Sequence, residues 1–433
     1  MSSPSEMFDS PLDLSSLPEV VELTEPRDGV PFVVDDAAGL ARAAKALASG
    51  TGPAAVDAER ASGFRYGQRA FLVQIRRQDS GTWLIDPEAF KDLKPLQEAL
   101  EGVEWILHAA SQDLPCLSAV GMWPSALFDT ELAARIAGLP RVGLAAVVEN
   151  LLGFSLAKEH SAADWSTRPL PEPWLRYAAL DVEVLIELRE EMITVLTEQG
   201  KLDWAAQEFQ AILDAGVPAP KQDPWRKTSG MHKLNRSRQL AVVRALWQER
   251  EDLARHRDIA PGRLLPDSAI VAAARATPGT VPQLLATPGF HGRAAQREAP
   301  RWLRAITEGL RSEDLPPLHL PSSSPPPPRA WADKDPEAAA RLATARPRLM
   351  EVAERVNVPL ESLLTPDYLR RLAWRPPASM DPSSIAEALQ TLGAREWQVE
   401  LTAGVVSEAF THPEPLPEKQ SEKKTVVEDA AGS

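Results

Sequence analysis

The sequence predicts a mixed α/β domain followed by two small all-helical units, and three observations carry that expectation. From Val30 to about Gly200, short apolar runs alternate with helical patterns, as in a domain built from both strands and helices. Pro218, Pro220 and Pro224 then interrupt the pattern, and only helical periodicity follows. A second interruption, SEDLPPLHLPSSSPPPPRA at 312–330, is too rich in proline for helix or central strand and reads as an extended linker. The length of 433 residues, at about 150 residues per domain, agrees with two or three domains.

Residues 1–28 are rich in Ser, Pro and acid and are expected to be disordered. The α/β domain is placed at 29–218, large enough to bury a full core. Its strands are read at AAVDAE (54–59), FLVQIR (71–76), TWLID (82–86) and EWILHA (104–109). Gly-containing polar turns join the first three into an antiparallel meander. The fourth follows a helix-like stretch, FKDLKPLQEALEG, so it is free to join the sheet in another direction. Helical patterns cover 130–137, 143–152 and 172–198.

One helical unit is placed at 225–311, with NRSRQLAVVRALWQEREDLARHR its clearest amphipathic stretch, and a linker at 312–332. A second unit occupies 333–411, and the polar tail 412–433 is expected to be disordered. The two units read as diverged copies. HRDIAPGRLLPDSAI (256–270) parallels ERVNVPLESLLTPDYL (354–369) with one residue inserted before Pro366, and in both a Pro-Asp pair opens the next helix.

Composition excludes several classes. Hydrophobic residues make up 44% and charged residues 25%, ordinary for a soluble globular chain. No window reaches the run of about 18 apolar residues that a membrane span needs. The first thirty residues lack a signal-peptide pattern, and Cys116, the single cysteine, cannot form an internal disulfide, so a cytoplasmic protein is expected. The net charge of −14 argues against a polyanionic partner only until it is divided along the chain. Residues 224–311 hold 16 basic and 7 acidic side chains, whereas 1–223 hold 18 and 35, and 312–433 hold 13 and 19. A compact basic segment behind an acidic head suits either a polyanion or a plain solvated surface.

Three segments carry candidate chemistry. In VDAERASGF, alternation along a strand puts Asp57 and Glu59 on one face, and hard oxygen ligands suit magnesium or manganese. A lone D-x-E is more often an edge-strand charge pair. In WILHAASQDLPCL, Asp113 follows a strand and precedes Leu114-Pro115, which is also how a helix N-cap looks, and His108 is more often a packed residue than a ligand. In LRYAALDVEVLIEL, Tyr177 and Asp181 are four apart on one helix face, although a buried tyrosine bonded to a carboxylate is a common structural pair. Together the four carboxylates could hold two divalent cations roughly 4 Å apart, with Asp57 bridging, for in-line hydrolysis of a phosphodiester. Tyr177, with an ordinary pKa near 10, would orient the attacking water rather than act as its base.

The order D-x-E, H-A-x-x-x-D-L and Y-A-A-L-D resembles the DEDD exonucleases with tyrosine in the third motif. LHAASQDL (107–114), LFDTELAARIAG (127–138), DWSTRPL (164–170) and RYAALDVEVL (176–185) are similar to the ribonuclease D family, over roughly residues 30–200. The unit at 225–311 resembles the helicase-and-RNase-D C-terminal (HRDC) domain, and 333–411 resembles a diverged second copy. The resemblance implies a ribonuclease H-like fold, with a mixed five-stranded sheet and flanking helices. It implies that Asp57, Glu59, Asp113 and Asp181 bind two Mg2+ or Mn2+ ions, and that Tyr177 positions the water. The implied activity is 3′-to-5′ removal of nucleotides from RNA ends, tRNA precursors included, and the protein is expected to be a monomer. The chain departs from the family pattern at KEHSAAD (158–164), where Ser or Thr usually follows the lysine.

Arg60, Tyr66 and Gln74 lie near the first motif and are candidates to contact the terminal nucleotide, with ordinary surface roles equally open. Lys233, Arg236, Arg238 and Arg244 are candidates for phosphate contacts in the basic unit, which could instead dock on protein. Two other functions fit the same pattern: an exonuclease that acts on DNA, or a catalytically silent RNA-binding protein.

Overall fold

A computed structural model of the chain describes residues 20–156, 162–320 and 324–416, which fall into two compact units divided between Leu320 and Pro321. Short strands β1 (Val21–Leu23) and β2 (Val33–Val34) precede helix α1 (Ala37–Ser49), whose first turn is capped by the Asp36 carboxylate accepting from the Gly39 amide. The meander follows: β3 (Thr51–Arg60), β4 (Ala70–Gln78) and β5 (Gly81–Ile85) pair antiparallel. Every residue of β4 from Ala70 to Ile75 is buried, as in a strand covered on both faces. After α2 (Lys94–Ala99), β6 (Glu104–Leu107) joins β3 in parallel, and after α3 (Leu114–Ala119), β7 (Ala126–Asp129) joins β6 in parallel.

The resulting sheet runs in the order β2-β5-β4-β3-β6-β7, so β3 lies well inside it. It is the mixed sheet expected, with six strands rather than five. The extra one is the two-residue edge strand β2, pairing with Leu84 and Ile85. Helices α4 (Thr130–Ile136) and α5 (Leu144–Leu152) lead to β8 (Phe154–Leu156), and α6 (Glu172–Glu183), α7 (Leu185–Glu198) and α8 (Leu202–Ala215) complete the domain. The helical pattern read over 172–198 is thus two helices that meet at Val184.

Disorder over all of 1–28 is corrected for residues 20–28. β1 pairs in parallel with β8, and the turn Pro26–Gly29 is closed by the Gly29 amide donating to the Pro26 carbonyl at 3.0 Å. A three-residue strand whose partner lies 133 positions away leaves no local signal. Residues 1–19, like most of the tail 412–433, lie outside the described residues.

The first helical unit comprises α9 (Ser237–Arg257), α10 (Pro261–Leu264), α11 (Asp267–Ala276), α12 (Val281–Leu285) and α13 (Gly292–Arg311) around a core that includes Phe290 and Trp302. A Cβ on Gly309 of α13 would stand 2.6 Å from the Val242 Cα, so glycine sets how closely α9 and α13 approach. The second comprises α14 (Trp331–Lys334), α15 (Pro336–Val356), α16 (Leu360–Leu363), α17 (Pro366–Trp374), α18 (Pro382–Leu392) and α19 (Glu396–Thr411). Element lengths run in parallel. α9 and α15 each have 21 residues and end on a left-handed residue, Asp258 or Asn357, and α10 and α16 each have four. Among the described residues no helix is long and apolar enough to cross a membrane.

Candidate active site

Alternation on β3 sends Asp57 and Glu59 to one face, and α6 packs across β3, β4 and β5 with Tyr177 and Asp181 one turn apart. One oxygen from each of Asp57, Glu59 and Asp181 lies within 4.8 Å of the others. The Tyr177 hydroxyl donates to the Asp181 carboxylate. Its ring is wedged into a cluster with Leu72, Trp165 and Ala178, the Trp165 ring centre 6.5 Å away, so the phenol has little freedom to swing.

Asp113, the fourth predicted ligand, stands at the start of α3, but its carboxylate makes no capping hydrogen bond. It pairs with Arg60 at 3.2 Å, and Arg60 also donates to the Gln112 carbonyl at 2.6 Å. Capping therefore does not account for this buried acid. Arg60, a candidate nucleotide contact, holds the Asp113 turn against the end of β3.

The electrostatics are those of a crowded acidic site. Burial pushes Asp57, Glu59 and Asp181 above the ordinary carboxylate range, and repulsion from Asp57 raises the other two further. Asp113 is raised to about 8, by burial first and then by Asp57, against the opposing pull of Arg60. Burial and the nearby carboxylates push Tyr177 upward as well, so it stays a protonated phenol at neutral pH. Hard oxygen donors that repel one another in largely buried surroundings suit divalent cations, and this donor set fits magnesium or manganese.

Two residues that the sequence reading did not single out support these groups. Asp129, buried at the end of β7, accepts from the amides of Ala109, Ala110, Glu131 and Leu132 at 2.8–3.1 Å. It thereby caps α4 and holds Ala109 at φ +62°, the left-handed turn that delivers Asp113. Arg168 grips Asp86 through two nitrogens at 2.6 and 2.7 Å and donates to the Phe71 carbonyl, which pins the DWSTRPL segment to the sheet. Both occur in segments noted above for family likeness, but only tertiary contacts reveal what they hold. His108 is a packing residue. Its Nδ1 is 2.9 Å from the Thr130 hydroxyl, and burial lowers its pKa to about 4.

The remaining candidates lie in three different settings. Gln74 is fully buried on β4, directly across from Asp57, and neither end of its amide finds a partner among the described residues. Tyr66 lies at the junction with the first helical unit. Its amide donates to Asp258, and its hydroxyl accepts from Arg255 at 3.1 Å. In the basic unit, Arg238 and Arg244 are engaged by the segment Ser312–Asp314, whereas Lys233 and Arg236 are exposed. Of the divergent stretch 158–164, residues 158–161 lie outside the described residues.

Comparison with known proteins agrees with this geometry. Residues 31–197 match a 3′-5′ exonuclease model, 239–306 match the HRDC domain, and 324–410 match a 3′ to 5′ exonuclease C-terminal domain. The third unit thus matches a model of its own. Ribonuclease D of Gluconacetobacter diazotrophicus is 34% identical over 235 residues, which span 53% of this chain and 59% of that protein. Ribonuclease D of Pseudomonas paraeruginosa is 32% identical over 266 residues, spanning 60% and 68%. Among solved structures, a protein from Bifidobacterium adolescentis is 42% identical with a TM-score of 0.84, covering 91% of this chain and all of that one. Escherichia coli RNase D, described as an exoribonuclease involved in structured RNA processing, is 25% identical with a TM-score of 0.64, covering 83% and 98%. With Asp57, Glu59 and Asp181 brought within 4.8 Å of one another and an alignment over two thirds of the Pseudomonas protein, the chain belongs to the ribonuclease D family.

Proposed function

We propose that the protein is a metal-dependent 3′-to-5′ exoribonuclease that trims RNA 3′ ends in the cytoplasm, tRNA precursors among them. The observation that carries this reading is the convergence of Asp57, Glu59 and Asp181 within 4.8 Å, with Tyr177 bonded to Asp181. Asp57, Glu59, Asp113 and Asp181 would hold two Mg2+ or Mn2+ ions. Bound there, such a pair supplies acidification of water and counter-charge for the departing oxygen.

The chain's own residues do the rest. Tyr177, protonated and fixed by Asp181 and the Trp165 cluster, orients a water for in-line attack on the terminal phosphodiester. The bond from phosphorus to the 3′ oxygen breaks, and a nucleoside 5′-monophosphate leaves. Arg60 keeps Asp113 at the cleft, and exposed Lys233 and Arg236 offer phosphate contacts in the helical unit.

The test uses a 5′-labelled RNA with a single-stranded 3′ tail and the matching DNA, with Mg2+, with Mn2+ and with chelator. A ladder shrinking from the 3′ end on RNA only, and only with metal, is expected. Equal loss of the DNA would make it a broader exonuclease. Retarded but intact RNA under every metal would overturn the catalytic reading and leave a binding protein of the same fold.

A further inference from the structure

The segment Val20–Asp28 lies outside the 31–197 match to the exonuclease model, yet it holds the helix that carries Tyr177 and Asp181. β1 is anchored on β8, with the Val21 amide donating to the Gly153 carbonyl at 3.0 Å. Three charged side chains then reach the sheet and helices. Glu25 pairs with Arg176 of α6 at 3.2 Å. Arg27 forms a two-pronged contact with Glu187 of α7, one prong at 2.8 Å, and approaches Glu183 of α6 at 3.6 Å. Asp28 pairs at 3.0 Å with Arg76 of β4, whose guanidinium also lies 3.2 Å from Glu183.

The placement of these contacts is their informative feature. Arg176 is the neighbour of Tyr177, and Glu183 is two residues beyond Asp181, so α6 is gripped on both sides of its functional pair. Glu183 has a fully buried side chain facing two guanidiniums. Partly exposed ion pairs add little to stability, and a buried one adds little more once desolvation is counted. A network of this size spanning strand, helix and an added segment serves geometry better than it serves stability.

We infer that Val20–Asp28 is a strap that positions α6, with Arg27 as its main positioning residue, setting Tyr177 and Asp181 against Asp57 and Glu59. This rests on the exonuclease reading above. Through Asp181 the strap would tune how well the acidic cluster holds a divalent cation, and through Tyr177 the orientation of the water.

The test compares full-length wild type, Arg27→Ala, Arg27→Lys and Asp181→Ala in two measurements. One is kcat and KM on a short single-stranded RNA, and the other is Mn2+ affinity by calorimetry without RNA. Arg27→Ala is expected to lower both kcat and Mn2+ affinity roughly tenfold, the low end of what loss of a ligand's own partner costs, because Arg27 acts through Glu183 and Glu187, with KM for RNA unchanged. Arg27→Lys, which keeps the charge but not the fork, is expected to recover part of both. If Arg27→Ala leaves kcat and Mn2+ affinity at wild-type values while Asp181→Ala abolishes hydrolysis, the strap idea is overturned and the exonuclease reading stands. If the wild type leaves RNA intact with Mn2+, the exonuclease reading falls and takes the strap with it. If Asp181→Ala hydrolyses RNA normally, Asp181 is not a ligand and the strap has no site to position.

Discussion

Asp181 and Glu183 stand two residues apart at the end of α6, and their carboxylates meet opposite surroundings. Asp181 faces Asp57 and Glu59, acids like itself, with the Tyr177 hydroxyl as its hydrogen-bond donor. Glu183 faces the guanidiniums of Arg76 and Arg27. One helix end thus separates an acid cluster short of positive charge from an ion-pair network that supplies its own. The first arrangement costs stability and makes sense as a seat for cations. The second meets Glu183 with positive charges from the chain itself, although burial still holds its carboxyl above the ordinary range.

The largest expected effect breaks this contrast at the acid cluster. Asp181→Ala should lower kcat on RNA by at least about a thousandfold, since each metal ion contributes several kcal/mol to charge stabilisation in such sites. A loss below about tenfold in a steady-state assay would mean that Asp181 is not a ligand.

A smaller effect concerns His108, buried beside the left-handed turn that leads to Asp113. Folded His108 stays neutral down to about pH 4, whereas the unfolded chain takes the proton near 6.5. The unfolded state therefore binds more protons between these values, and stability falls as pH drops through that window. The loss reaches roughly 3 kcal/mol by its lower end. Urea unfolding of wild type and His108→Gln from pH 7 to 4 checks this, and the variant should show the flatter profile.

Next, Asp181→Asn should raise the melting temperature of the metal-free protein, and Glu183→Gln should change it little. Removing a like charge from the cluster should stabilise it by about 2 kcal/mol, whereas at Glu183 the two arginines and the burial that raises its carboxyl oppose each other, so the change should stay within about 1 kcal/mol. Equal shifts in differential scanning calorimetry would erase the contrast between the two sides of α6.

The smallest effect is at the junction of the catalytic domain with the first helical unit. Asp258, left-handed at the end of α9, receives two Arg69 nitrogens at 2.8 Å each. Both side chains are partly exposed, so Arg69→Ala should cost no more than about 1 kcal/mol. It should show mainly as faster amide exchange in residues 62–69, and unchanged exchange there would mean that the pair is not what holds the junction.

How much of this was legible in the sequence depended on the range over which each feature is set. Asp57 with Glu59 and Tyr177 with Asp181 follow from strand and helix periods within a few residues, so their convergence could be anticipated. The meander and the helices were legible for the same reason. β7, at four residues, and β1 and β8, at three each, are too short to show periodicity. The break at Val184 follows from packing, because both halves have good helix composition. Asp129 hid as an ordinary N-cap, and its grip on Ala109 spans 20 positions. Gln74 and Tyr66 sat near the first motif in sequence, yet one is inside the sheet and the other at a domain junction. The Arg27–Glu187 contact spans 160 positions, which no local pattern encodes.

The most direct test of the central claim is a calorimetric titration of the full-length protein with Mn2+, repeated on Asp57→Asn and on Glu104→Gln. Glu104 is a carboxylate already paired with Arg189 at 2.5 Å on β6, away from the cluster. Two Mn2+ ions should bind the wild type and Glu104→Gln alike, and Asp57→Asn should lose that binding. Equal binding by Asp57→Asn, or none by the wild type, would contradict the assignment of this acidic cleft as the metal centre.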